Sequence, residues 1–188
     1  MDSEMQIALL GILGTLGGTI LGWILNNLSQ HGKLNIFISA WEDKFQFNNM
    51  GSMTLSSSIE QTQDYLYRVS FDLYNSSRET KIMRNIEIIF SNGKEELYRN
   101  IPKDESTKRM SSAFVCYDDI LPINIPPKSI IHIELQNWIS ESDGSLKHIW
   151  NTTRVYLRYI NEKNRKKKVL IKKEKYKDYF MNNPIKES

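Results

Sequence analysis

Hydrophobic and polar positions divide this chain into two regimes. From Met5 to Leu28 the residues are almost all apolar and none is charged, whereas from Leu34 onward short runs alternate apolar with polar residues. At ~1.5 Å of rise per residue, the stretch from Ile7 to Leu25 makes a helix about 28 Å long, close to the ~30 Å hydrocarbon thickness of a bilayer. A transmembrane helix over 5–28 is therefore expected. Asp2 and Glu4 stand where a secretory signal would carry positive charge, and Leu28-Ser29-Gln30 offers no small-residue cleavage pattern. No polar face interrupts the run before Asn26, which disfavours the core helix of a soluble domain.

Glycine disfavours a helix interior by roughly 1 kcal/mol relative to alanine, so five of them in one helix ask for a packing reason. At 100° per residue, Gly11, Gly14, Gly18 and Gly22 fall in a stripe about 80° wide, which Ser29 extends. Leu9, Leu13, Leu16, Ile20 and Trp23 point the other way. Overlapping small-xxx-small spacings of this kind let a second helix approach backbone to backbone. Self-association through Gly11, Gly14, Gly18 and Gly22 is expected, giving a homo-oligomer in the lipid bilayer. Lys33 and Lys44 follow the helix and no Lys or Arg precedes it, so the positive-inside rule puts the C-terminal domain in the cytoplasm, at the cell membrane.

Beyond a linker at 29–33, residues 34–173 read as antiparallel β-structure. Leu34 to Trp41 is a first strand, and Gln46 to Gln63, rich in Asn, Ser, Gln and Thr, reads as a long surface loop. Tyr65, Tyr67, Val69, Phe71 and Leu73 alternate with Arg68, Ser70 and Asp72, the pattern of a half-buried strand. Ile82, Arg84, Ile86, Ile88 and Phe90 resume the period, and Asn92-Gly93 signals a tight type I′ turn into a returning strand near Glu95 to Tyr98. Ser112 to Tyr117, Ser129 to Trp138, Lys147 to Trp150, Arg154 to Tyr159 and Lys168 to Lys172 complete the strands, Ser142 to Gly144 marking a turn. The proline-rich Ile120 to Lys128 is expected to cross extended outside the ladders. Many short strands with no amphipathic helix between them argue for a β-sandwich, immunoglobulin-like rather than a small β-barrel. A short helix is expected in the basic tail at 174–188.

Charge adds one feature. Asp2 and Glu4 are the only charges before Lys33, so the remainder carries 25 basic against 20 acidic residues. Nine Lys or Arg residues lie between Lys163 and Lys177, against Glu174 alone. Lys163, Arg165, Lys166, Lys167, Lys168, Lys172 and Lys173 are candidates for contact with an anionic surface, a membrane leaflet above all. Without aromatic residues interleaved among them, nucleic acid is not the expected partner. The competing reading is a solvated edge hairpin whose lysines prevent strand-to-strand aggregation.

Chemistry is sparse. His31, His132 and His148 fall in no metal-ligand spacing, no glycine-rich loop follows a strand, and no Gly-x-Ser-x-Gly elbow occurs. The lone Cys116 sits in an alternating apolar run and reads as a buried side chain. Asn75-Ser-Ser and Asn151-Thr-Thr match the glycosylation triplet, which matters only for a secreted domain. No metal, cofactor or enzymatic activity is expected. The expected function is a single-pass membrane protein whose sandwich binds a protein or small ligand. The alternative is a membrane-perturbing effector in which the sandwich senses a signal and the helices assemble into a pore.

Overall fold

The computed structural model of the chain describes residues 3–30, 32–111, 114–141 and 144–183. His31, the start of the expected Ser112 to Tyr117 strand, part of the expected Ser142 to Gly144 turn and the two ends of the chain lie outside these residues, as do the side chains of Leu28, Ser29 and Gln30. Helix α1 spans Ser3–Gln30, about 42 Å at ~1.5 Å per residue. Thr15 and Thr19 each donate their hydroxyl to the carbonyl four residues back, at 2.8 Å, so neither leaves a polar group unmatched within the apolar stretch. Ser3–Asn27 is long and apolar enough to cross a membrane, and none of it is buried against the rest of the chain.

Among the described residues twelve strands follow: β1 Leu34–Asn49, β2 Ser52–Leu55, β3 Asp64–Asn75, β4 Lys81–Ser91, β5 Glu96–Asn100, β6 Lys103–Asp104, β7 Arg109–Ser111, β8 Phe114–Cys116, β9 Ile123–Ile125, β10 Ile130–Ser140, β11 Arg154–Ile160 and β12 Lys166–Lys173. One sheet runs β2-β1-β3-β10-β6 and the other β12-β11-β4-β5, with β9 on β4 and β7-β8 a separate hairpin. All ladders are antiparallel. With β1, β3, β4, β5, β6, β10, β11 and β12 taken as strands A, B, C, C′, D, E, F and G, the sheets are A-B-E-D, with β2 added beside A, and G-F-C-C′, the immunoglobulin order. Inward-facing Tyr65, Tyr67, Val69, Phe71 and Leu73 of β3 meet Val155 and Leu157 of β11 and Ile86, Ile88 and Phe90 of β4 in one core.

Five expectations change. The stretch from Gln46 is not a loop throughout: β1 continues to Asn49 and pairs with β2 around Met50 and Gly51, both at positive φ as a type I′ turn demands. Sequence hid this hairpin because methionine is an unusual residue there. Asn92-Gly93 makes instead a longer loop, with the Asn92 side chain accepting from the amides of Lys94 and Glu95 at 2.9 Å. Leu146–Trp150 is a short helix, α2, which buries Leu146 and Ile149 three residues apart. Ile123–Ile125 pairs with Lys81 to Met83, because prolines flank that triplet without interrupting it. Cys116 is only half-buried, since the β7-β8 hairpin stands off the core and exposes Met110 and Phe114.

Strand β4 also changes phase. Asn85 adopts a left-handed φ of 49° and the β11 register shifts beside it, so Lys81 and Met83 point inward before the bulge and Ile86, Ile88 and Phe90 after it. A strict period of two had put Ile82 and Arg84 on the core face. Asparagine tolerates the left-handed region better than most residues, which permits the slip.

Candidate functional site

Both ends of the sandwich are built by polar networks, and only one adjoins the helix. At the helix-proximal end, Gly32 and Lys33 are stapled to the turn after β3. The Lys33 amide donates to Ser76 Oγ at 2.9 Å, and the Ser76 amide and hydroxyl return bonds of 3.0 and 2.9 Å to the Lys33 carbonyl. A Cβ on Gly32 would overlap the backbone of Ser76 and Ser77. That turn is held in turn by Asn75, which is fully buried. Its Nδ2 donates to the carbonyls of Glu79, Ile125 and Pro126 at 2.7–3.0 Å, and its Oδ1 accepts from the amide and hydroxyl of Ser77. Asn75 is therefore a structural bracket, inaccessible to a glycan in the folded domain.

Between the sheets at this end lies a cleft of ≈ 630 Å³, lined by Gly32, Lys33, Leu34, Glu79, Lys81, Tyr159, Asn161, Glu162, Lys163, Arg165 and Lys167. Alternation along β12 explains Lys167: it shares the inward side with Val169 and Ile171, so past the edge of the core it reaches into the mouth. The bulge at Asn85 does the same for Lys81. Only 7% exposed, Lys81 pairs with Glu162 at 3.1 Å and Glu79 at 3.8 Å. Burial pushes the Glu162 carboxyl up, but a backbone hydrogen bond and Lys81 outweigh it and hold the group below its ordinary range. Burial, then Glu162, raises the Tyr159 phenol at the floor.

The structure divides the seven basic residues singled out by sequence. Lys163, Arg165 and Lys167 line the cleft and, among the described residues, form no ion pair. Lys166 faces the opposite side, with Glu87, Arg99 and Arg158. Lys168 is engaged, 4.1 Å over the Tyr156 ring and 3.5 Å from Glu96. Lys172 and Lys173 lie at the far end of β12, where Lys172 pairs with Asp43 at 3.2 Å and with Glu174. The basic run of the sequence is thus three separate surfaces. On α1, Gly11, Gly14, Gly18 and Gly22 have nothing within 4 Å of the position a Cβ would take.

The helix-distal end centres on Asp43, whose carboxylate accepts from Trp41 Nε1 and the Tyr65 hydroxyl at 2.9 Å, and from the Tyr176 hydroxyl. Burial, reinforced by Asp43, drives the Tyr65 and Tyr176 phenols far above their ordinary range. Tyr179, in the short helix α3 at Tyr179–Asn182, donates to the Asp43 carbonyl at 2.7 Å. Sequence reasoning missed Asp43, Asn75, Lys81 and Glu162. A carboxylate two positions after aromatic Trp41, on the same side of the strand, was the one available signal for Asp43. Among the described residues no group of three His, Cys, Asp or Glu is arranged to hold a metal ion.

A family model described as YopI Ig-like domain matches residues 32–172. The chain belongs to that family. The YopI Ig-like match begins at Gly32, the stapled residue, and takes in every residue of the helix-proximal cleft, while α1 lies outside it. Similar solved structures include Northeast Structural Genomics Consortium target SoR45, 14% identical over 77% of this chain and 85% of that chain, with a TM-score of 0.32. Another is a Bordetella pertussis protein carrying the name ApaA, 10% identical over 75% of this chain and 89% of that one, with a TM-score of 0.30. No curated protein matches the chain.

Proposed function

We propose that this is a non-enzymatic, single-pass protein of the cell membrane. Helix α1 crosses the bilayer and self-associates through its glycine face, and the YopI Ig-like domain is a cytoplasmic binding module. The observation that carries this reading is the unburied Ser3–Asn27 helix, whose glycine stripe has no partner among the described residues. In hydrocarbon such a stripe gains contact only from another helix, and close backbone approach is what small residues permit. The cytoplasmic orientation follows from Lys33 and Lys44 after the helix.

The test is the full-length chain in native membranes. It should resist alkaline carbonate extraction, and cross-linking should trap a discrete oligomer that Gly18→Ile reduces to monomer while leaving the protein in the membrane. Release by carbonate overturns the anchor, and unchanged oligomers in Gly18→Ile overturn the interface.

A further inference from the structure

We propose that the helix-proximal cleft binds the phosphate of an anionic membrane lipid headgroup, an inference that rests on reading α1 as a membrane anchor. Three observations converge on it. First, position: Gly32 lies on the cleft rim, the span apolar enough to cross a membrane ends at Asn27 and α1 continues to Gln30, so three helical residues and the two chain steps to Gly32 put the rim within about 12 Å of that span. That is on the order of the Debye length, ~8 Å in physiological salt, so the charge of the leaflet reaches the rim in attenuated form.

Second, charge within the cleft is sorted. Its two carboxylates, Glu79 and Glu162, are both engaged by the buried Lys81. Lys33, Lys163, Arg165 and Lys167 form no ion pair among the described residues, although Lys163 acts on Glu162 at longer range, and five cations against two carboxylates give the concavity a net charge of +3. Elsewhere on the G-F-C-C′ sheet Arg158 is matched by Glu87 and Glu96, and Lys168 by Glu96, while Lys166 and Lys173 form no ion pair among the described residues but lie outside the cleft. Third, the shape is built. The inward Lys167, the Asn85 bulge and the Asn161 to Arg165 turn, whose Asn161 side chain accepts from the amides of Lys163 and Arg165, fix where the cations stand.

A compact pocket with a net charge of +3 suits a phosphate monoanion or diester with its polar substituent. It does not suit an extended polyanion, which would need the continuous basic stripe that Glu96 and Asp43 interrupt.

The experiment is native mass spectrometry of the full-length chain in detergent, titrated with phosphatidylglycerol, phosphatidylcholine, inorganic phosphate or a single-stranded oligonucleotide. Wild type should retain one phosphatidylglycerol per chain and discriminate against phosphatidylcholine. The triple variant Lys163→Gln, Arg165→Gln, Lys167→Gln should bind phosphatidylglycerol at least tenfold more weakly. The control triple Lys166→Gln, Lys173→Gln, Lys177→Gln removes the same charge outside the cleft and should bind as wild type. Lys163→Arg with Lys167→Arg should retain binding, which guards against misfolding as the cause of a loss. Equal weakening in both triples, absence of lipid discrimination, or preferred binding of the oligonucleotide each overturns the proposal. Inorganic phosphate binding as tightly as phosphatidylglycerol overturns the lipid as source. A chain that resists carbonate extraction yet fails to discriminate lipids refutes the cleft alone, whereas release by carbonate refutes the anchor.

Discussion

Asp43 shows how much one side chain can organise. Its carboxylate is nearly excluded from solvent, a costly state for an ion unless its lone pairs are filled, and Trp41, Tyr65, Tyr176 and Lys172 fill them. Tyr176→Phe withdraws one donor and keeps the ring, so it should lower unfolding stability by about 1–3 kcal/mol. Urea unfolding with an unchanged m-value would register that loss. His132 offers a pH-dependent counterpart on the outer face. Its Nδ1 lies 2.7 Å from Asp72, and Nε2 lies 3.4 Å from Glu134. These hydrogen bonds, that to Asp72 first, raise its pKa above 6.5. A raised pKa means that the stabilisation is complete below the unfolded value and disappears as pH rises through the folded one. Asp72→Asn should shift the imidazole titration seen by NMR to lower pH, and an unmoved midpoint would remove Asp72 as the cause.

At the scale of elements, the junction between helix and sandwich is the point of interest. A three-residue linker next to a mobile turn would swivel, but Gly32, Lys33, Ser76 and Asn75 form a staple whose backbone approach leaves no space for a Cβ. Gly32→Ala should force the turn after β3 away and destabilise the domain by about 1–3 kcal/mol. Hydrogen exchange should then rise at the Ser76 and Ser77 amides before it rises in β3. Exchange that is unaltered there would show that the turn adapts without loss. The same staple holds Lys33 and Leu34 on the cleft rim, so a structural defect here is also expected to perturb lipid selectivity.

For the whole molecule, the proposed self-association makes copy number the deciding quantity. Two helices meeting along Gly14, Gly18 and Gly22 make a dimeric receptor-like scaffold, whereas many make a ring that could enclose water. The Gly18→Ile experiment reads both: measured stoichiometry separates dimer from larger ring, and leakage of a vesicle-trapped dye would accompany only the latter. Strands β1 and β12 each reach both ends: Leu34 and Lys167 lie at the proximal cleft, Asp43 and Lys172 in the distal network. The cleft and the network remain chemically separate sites.

Local pattern alone determined the two-part architecture. An uncharged run of bilayer length and strands with period-two alternation are properties of neighbouring residues, so Ser3–Gln30 and the β3, β10 and β11 ladders were legible without coordinates. The strand order within the sandwich was an inference from counting, and the A-B-E-D and G-F-C-C′ sheets confirm the immunoglobulin reading. Tertiary structure alone decided which charges are free. Seven basic residues consecutive or nearly so in sequence look like one patch, but the pleat sends alternate side chains to opposite faces, and the antiparallel course carries the two ends of β12 to opposite ends of the domain. Glu96, Asp43 and Glu174 then neutralise some of them from distant or adjacent segments. The left-handed Asn85, which turns Lys81 inward to occupy the carboxylates, likewise depends on a register that only pairing with β11 establishes.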